Sequence, residues 1–424
     1  MPWARRSILA EPIGTYRFVE AKDGSGRSSW LGPDILPGTL CHRPFADLRV
    51  LSRTGPGLWI GYLSYELGRW VEDLRAHPNR DRHFPVIELG YCPGWFVHDT
   101  ATAKWTMVGD PPAPPDLSTP AAEPGCAVGM PTSCTTPRQF EAAVEQVRRY
   151  ITAGDVFQVN LAHRLTAESI GPFPLVQRSL FARLAGLSPA WYGAYLELAD
   201  DGGPQRAIGS VSPELFLELD GSGKVTTRPI KGTRPASVDP KHLLASEKDA
   251  AELHMIVDLL RNDLGRVCDY GSVRVLEPRA IESHPTVHHG AATVTGTLHP
   301  SKDLISLLKA TMPGGSVTGA PKIRAMQIIN EMELAARGPY CGCLGWMTEN
   351  TACMSIAIRT MLLEQLSDNA GRADFSVGSG IVADSEPAAE YRETLDKAQV
   401  FFQSLRGSST SPVNETEASL TPSR

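Results

Sequence analysis

Apolar positions recur along this chain with two different periods, and the changes of period mark its elements. Phe140, Val144, Val147 and Ile151 follow the spacing of a helix with one buried face. Thr136-Pro137 supplies a cap and a first-turn proline, and Gly154 a stop, so a helix is predicted between them. The segment Val156-Phe157-Gln158-Val159-Asn160-Leu161 then reads as β. Strand-like pieces recur at 192–198, 206–219, 223–230, 353–363 and 373–382, and earlier from Leu58 to Tyr65. They do not alternate regularly with helices, which argues against a doubly wound parallel sheet. The pattern predicts an α+β fold with large, mostly antiparallel sheets.

Two later helices carry acids on one side. Ser246-Glu247-Lys248-Asp249 resembles a capping box, and the helix it opens runs on through Leu260. Asp249 and Glu252 are three apart and share a face. A second helix is predicted from Ser385-Glu386-Pro387, with Glu390, Glu393 and Lys397 on one stripe. Tyr391, Leu395, Ala398 and Phe402 form the apolar stripe beside it.

The organisation expected is an N-terminal part, 1–105, that contributes strands to the sheets, a Pro-rich linker at 106–136, a catalytic domain at 137–405 and a disordered tail at 406–424. The chain has 424 residues, 42% apolar and 21% charged, with a formal net charge of −6. No Lys/Arg cluster points to nucleic acid. No apolar run approaches the roughly 20 residues that span a bilayer, and no signal-type core follows the start. Eight scattered cysteines show no zinc spacing and read as reduced packing thiols. A cytoplasmic protein is expected.

Candidate chemistry is concentrated in four places. Pro229-Ile230-Lys231-Gly232-Thr233 reads as a strand end where glycine admits a ligand, and desolvation there would make the Lys231 amine nucleophilic. The two acidic helices together suit one hard divalent ion. Pro313-Gly314-Gly315-Ser316-Val317-Thr318-Gly319-Ala320-Pro321-Lys322 and Gly378-Ser379-Gly380 can each present backbone to an anion. Arg359, within a β-type run, is suited to a carboxylate. Taken singly, each feature also fits a solvated strand end, an exposed acidic face or a tight turn.

Taken in order, these motifs resemble the chorismate-utilising enzymes. The resemblance covers about 137–403 and adds Ser212-Pro213-Glu214, Met255 to Arg266 (which includes Leu259-Leu260-Arg261-Asn262-Asp263), Gly380 to Ser385 and Glu390-Tyr391-Arg392-Glu393-Thr394. It implies two antiparallel sheets facing each other with helices outside, Mg2+ as cofactor, and chorismate or isochorismate as substrate. Anthranilate synthases usually carry alanine where this chain has Lys231. Isochorismate and salicylate synthases usually carry a lysine base where it has Gln158. The resemblance therefore implies amination of chorismate at C4, through a covalent bond to Lys231. The alternatives are an anthranilate-type synthase, which would eliminate pyruvate and aromatise, and a non-catalytic chorismate-binding paralogue.

It also implies roles. Glu252 and Glu390 would hold the metal, with Asp249 and Glu393 acting directly or through water. Glu214 would protonate the departing hydroxyl, and Arg359 would hold the enolpyruvyl carboxylate. Gln158, Gly232, Thr233, Thr318, Lys397 and the Gly378–Gly380 backbone would complete the pocket. His289 matches a histidine tied to late elimination in anthranilate synthases, and Trp346 stands where the family often has tyrosine. No Leu-Glu-Ser element of the kind that binds tryptophan in regulated members is found. No glutaminase module is expected, on the reading that none of the eight cysteines sits in a Gly-x-Cys-x-Gly nucleophile-type turn. A separate glutamine amidotransferase subunit would therefore supply ammonia.

Overall fold

The computed structural model describes residues 6–21, 23–33, 40–72, 74–112, 127–198, 203–283 and 287–406. Nearly all of the tail expected at 406–424, and the centre of the expected linker, lie outside these residues. Within that linker range, Lys104–Gly109 ends as a strand, and Ala127–Val128 and Thr132–Ser133 pair with the strand Gln158–Ile170.

Two large sheets dominate, and every strand pairing among the described residues is antiparallel. The eleven-stranded sheet runs Ile230–Pro235, Val287–Thr297, Lys224–Arg228, Leu215–Leu219, Ala352–Ile356, Cys343–Met347, Leu58–Leu63, Ile87–Cys92, Gly14–Glu20, Gly26–Leu31. Arg274–Ser283 adds to Val287–Thr297. The eight-stranded sheet runs Tyr192–Leu198, Arg206–Ser212, Thr360–Ser367, Ala370–Ile381, Gln158–Ile170, Gly319–Ala320, with the two short strands noted above also on Gln158–Ile170. A three-stranded sheet of Arg6–Leu9, Gly94–Asp99 and Lys104–Gly109 stands apart. The N-terminal strand Leu58–Leu63 pairs with Cys343–Met347 near the other end of the chain, with Tyr62 opposite Leu344.

The sheets face each other across a thin buried layer. Tyr62 and Leu344 from the larger sheet meet Ile208 and Leu362 from the smaller one. Full burial of each such side chain contributes on the order of 2 kcal/mol. The same layer buries charge: Glu88 accepts from Arg206 at 3.0 Å, from Arg17 at 2.8 Å and from the Tyr62 hydroxyl at 3.2 Å. On the outer face of the smaller sheet, Leu165, Val211, Leu363 and Phe375 pack against helices Phe173–Leu187 and Pro387–Leu405. With both faces covered, Gln158–Ile170 is buried almost throughout, so its sequence shows no clean alternation.

The helix predicted from Thr136 spans Pro137–Thr152, with a complete Thr136/Gln139 capping box and Phe140, Val144 and Val147 buried. The acidic helices are Glu247–Gly265 and Pro387–Leu405. Among the described residues, no helix is long and apolar enough to cross a membrane.

Two expected strands differ from the prediction in an informative way. The piece at 206–219 is broken at Pro213-Glu214: Arg206–Ser212 belongs to the smaller sheet and Leu215–Leu219 to the larger. The piece at 353–363 breaks likewise between Ala352–Ile356 and Thr360–Ser367. Both runs are apolar enough to continue, but each changes sheet midway.

Candidate active site

The two crossings lie side by side. The Ile356 amide donates to the Glu214 carbonyl at 3.1 Å, the Val211 amide to the Arg359 carbonyl at 3.0 Å, and the Ser212 hydroxyl to the Ile356 carbonyl at 2.6 Å. This brings Glu214 and Arg359 to the seam between the sheets. Glu214 is 3% exposed, and burial pushes its carboxyl up to about 7, against the lowering effect of the Ser316 hydroxyl, the Lys231 ammonium and the Ile230 amide. A carboxyl so placed keeps its proton near neutrality and can give it to a leaving group. Arg359 has φ +48°, a strained value for a non-glycine residue, and desolvation depresses its pKa. Among the described residues it has no carboxylate partner at ion-pair distance, which suits it to an anionic ligand.

Lys231 sits on a β-bulge. Ile230 stands opposite Ala291 and Thr233 opposite His289, so Lys231 and Gly232 share the single place facing Gly290. Gly232 has φ +79°, and a Cβ there would lie 2.7 Å from Leu243 and 2.9 Å from Asp249. The bulge aims the lysine into the seam. Its charge acts on Glu214, Glu252 and Glu393, and its Nζ lies 3.7 Å from where a Cβ on Gly380 would stand. Gly232→Ala combines a disfavoured φ with a collision, so a loss of activity of more than tenfold is expected. A steady-state assay of chorismate consumption checks this, and an unimpaired variant would remove the bulge from the argument.

His289 is buried and links two candidates. Its Nδ1 is 2.8 Å from the Thr233 hydroxyl and its Nε2 is 3.5 Å from Arg359 Nη2. This geometry makes it a tether between Thr233 and Arg359. Gln158 is 2% exposed, and its amide nitrogen occupies the space left by Gly380. Gly378 and Gly380 pair with Ala162 and Asn160, and Lys397 donates to the Gly378 carbonyl at 2.9 Å. Thr318 is fully buried, but its hydroxyl folds back onto the Gly314 carbonyl at 3.0 Å, so it shapes the loop more than it faces a ligand. Trp346 lies on the strand Cys343–Met347 of the larger sheet. Its strand partners are Ile60 and Cys353, and Leu344 of the inter-sheet layer shares its face.

The four acids do not converge. Among the described residues, no three His, Cys, Asp or Glu side chains are arranged to hold a metal ion. Asp249 pairs with Arg234 at 2.7 Å and Glu393 with Lys397 at 2.7 Å. Glu390, 5% exposed, accepts from the Ser379 hydroxyl on one oxygen and from Ser385 at 2.6 Å on the other. Among the described residues Glu252 has no such partner. Burial raises its pKa, Asp249 and Glu393 add to the rise, and Lys231 and Lys248 oppose it. In Glu393 burial is outweighed by Lys397, Lys248 and Lys231, and the pKa falls. A crowded carboxylate without a bonded cation, near a second one, fits a hard ion that takes one or two protein oxygens and keeps waters.

Three residues missed by the sequence reading take part. The Ser316 hydroxyl lowers the Glu214 pKa, and Ser379 and Ser385 orient Glu390. All three lie inside motifs already quoted, and asking which hydroxyls flank a buried acid would have found them. One cysteine does meet a nucleophile-type turn, Gly90-Tyr91-Cys92-Pro93-Gly94. Cys92 is fully buried and burial pushes its thiol up to about 12, so it is a packing thiol. A cavity of about 330 Å3 lies apart from this group, lined by Glu20, Glu66, Arg80, Arg164, Arg337 and Tyr340. Lys231, Glu214 and Glu252 are not in its wall.

Known proteins are similar to this chain in sequence and in fold. Aminodeoxychorismate synthase component 1 of Klebsiella aerogenes is 37% identical over 388 residues, 87% of this chain and 83% of that protein. Anthranilate synthase component 1 of Synechocystis is 44% identical over 288 residues, 65% of this chain and 55% of that protein. The crystal structure of anthranilate synthase component I from Streptococcus pneumoniae superposes with a TM-score of 0.76 at 29% identity, covering 95% of this chain and 93% of the other. The profile of the chorismate binding enzymes matches residues 23–403, so this chain belongs to that family and is a chorismate-utilising enzyme.

Proposed function

We propose that this chain aminates chorismate at C4, giving 4-amino-4-deoxychorismate, as an aminodeoxychorismate synthase component I. The observation that carries the reading is Lys231 on its bulge, with its amine among Glu214, Glu252 and Glu393. The unprotonated Lys231 amine bonds to ring C2 as the C4–O bond breaks, and Glu214 gives its proton to the departing hydroxyl, which leaves as water. Ammonia then bonds to C4 as the C2–N bond breaks, which returns the lysine. One hard displacement becomes two easier ones. Arg359, steadied by His289, holds the enolpyruvyl carboxylate.

Glu252 and Glu390 would hold Mg2+, which supplies positive charge for the ring carboxylate. Asp249 and Glu393 act on Glu252 through their charge, and each is balanced by its own cation. Nitrogen would come from a separate glutamine amidotransferase subunit, a reading supported by the "component 1" names of the relatives.

Chorismate, Mg2+ and either ammonium or glutamine should be given to the purified chain and the products separated by mass. Ammonium should yield a product that keeps the pyruvyl group, and glutamine alone should yield none. At fixed free ammonia the rate should fall as pH rises above about 7, because Glu214 must carry a proton. The 44% identity to an anthranilate synthase favours a second reading, in which pyruvate is lost and the ring aromatises. Fluorescent anthranilate as main product would establish it in place of the first. Turnover with glutamine alone would overturn the need for a partner.

A further inference from the structure

Arg228 stands three residues before Lys231, and its side chain reaches across a neighbouring strand. The strands Lys224–Arg228 and Ile230–Pro235 lie end to end along one edge of Val287–Thr297, and Arg274–Ser283 lies along the other. Thr227 is opposite Val294, which puts Arg228 in line with Thr293. The Arg228 Nη1 donates to the Thr293 hydroxyl at 2.7 Å and to Glu277 at 2.9 Å. Glu277 is opposite Thr293 on the far strand, so these contacts stay within one row. The Arg228 Nε donates to Glu282, which leaves that row. Arg228, Thr293 and Glu282 are all buried.

Glu282 is opposite His289, and His289 is opposite Thr233 on its other side. Ala280, Ala291 and Ile230 make the row between. Alternate positions on a strand share a face, so Thr293, Ala291 and His289 point the same way. One arginine therefore joins the row before the bulge to the row after it. The backbone ladder holds the segment between less firmly. Pro229 has no N–H to give, and its carbonyl accepts from the Ala292 amide at 3.1 Å. Lys231 and Gly232 share one place opposite Gly290, so neither has a strand partner of its own. The Arg228–Glu282 bond fixes the front of this segment, and the bond from Thr233 to His289 fixes its back.

We propose that Arg228, bonded to Glu282, is a positioning residue that braces the bulge from one row to the next and so holds the Lys231 amine at its place in the seam. The guanidinium carries Nε and Nη1 in one rigid plane, so it serves Glu282 and the Thr293–Glu277 pair at once. A lysine ammonium is a single point on a flexible stem and cannot match that fork. Without the brace the bulge loses a charge-assisted bond at its front, and the amine it carries is less closely placed. The proposal rests on Lys231 as the nucleophile proposed above, and its test tells the two apart.

Arg228→Lys keeps the charge and removes the fork. Keeping the charge matters, because Glu282 and Lys231 both act on Glu214 through theirs. The chain is mixed with chorismate and Mg2+, quenched at intervals, and the peptide containing Lys231 is weighed for the mass of dehydrated chorismate. Arg228→Lys should form this adduct at least about tenfold more slowly than the wild type, with KM for chorismate within about twofold. In a Lys231→Ala background the same substitution should leave the residual consumption of chorismate unchanged, because the residue it acts through is gone. A merely structural arginine lowers thermal stability and costs the same factor in both backgrounds, and that result overturns the proposal. An adduct rate equal to that of the wild type overturns it as well. No adduct in the wild type removes the Lys231 reading, and the proposal with it. If Arg228→Lys does not fold, Glu282→Asp carries the same expectation, since it keeps the charge and shortens the reach by one carbon. An unchanged adduct rate in that variant overturns the proposal equally.

Discussion

Lys231→Ala should cost at least a thousandfold in formation of the aminated product, about 4 kcal/mol of transition-state stabilisation. The variant keeps Glu214, Arg359, Glu252 and Glu390, so substrate binding should survive. What it loses is the amine that the bulge aims into the seam. Without a covalent stage, ammonia must displace a poor leaving group directly or attack C2, which would divert the reaction towards anthranilate-like products. Wild-type enzyme trapped during turnover should carry the mass of dehydrated chorismate on the peptide that contains Lys231. A wild-type rate of 4-amino-4-deoxychorismate from the alanine variant would show that the nucleophile lies elsewhere.

The second large effect concerns the carboxylates. Activity should vanish with EDTA and return with Mg2+. Glu252→Gln and Glu390→Gln should each lower kcat/KM at least a hundredfold, about 3 kcal/mol. The two should differ in one respect. Glu390 is held by Ser379 and Ser385, so its amide variant also disturbs two hydroxyls. Glu252 has no such partner among the described residues, so Glu252→Gln should remove charge and little else. Titration calorimetry with Mg2+ in the presence of chorismate would separate lost metal binding from lost chemistry. Arg261, on the exposed side of its helix and paired with Asp258, serves as the control, and Arg261→Lys should change little. Unaltered rates in both glutamate variants at ordinary Mg2+ would remove the metal from the site.

Much of this could be read in the sequence because it is encoded locally. The Pro137–Thr152 helix is set by its capping box and by Phe140, Val144 and Val147, all within one segment. The acidic helices start where Ser246 and Glu386-Pro387 place them. The family motifs around Lys231, Glu214 and the two glycine loops are contiguous runs, and such runs survive without knowledge of the fold.

The tertiary structure alone decided which neighbours those residues meet. Hydrophobic periodicity reports that a face is buried, but not which partner covers it. A strand covered on both faces, as Gln158–Ile170 is, has no clean period at all. For that reason the runs at 206–219 and 353–363 read as single strands, although each crosses between sheets and leaves Glu214 and Arg359 at the crossing. Charge pairing is equally nonlocal. Four acids on two helices read as one cluster, yet Arg234 neutralises Asp249 and two serines hold Glu390, which leaves Glu252 crowded and, among the described residues, unpaired. Sequence named the chemical groups because residue type and local spacing fix them. Their pKa values, partners and aim follow from contacts between residues far apart in the chain, which exist only once the two sheets have closed on each other.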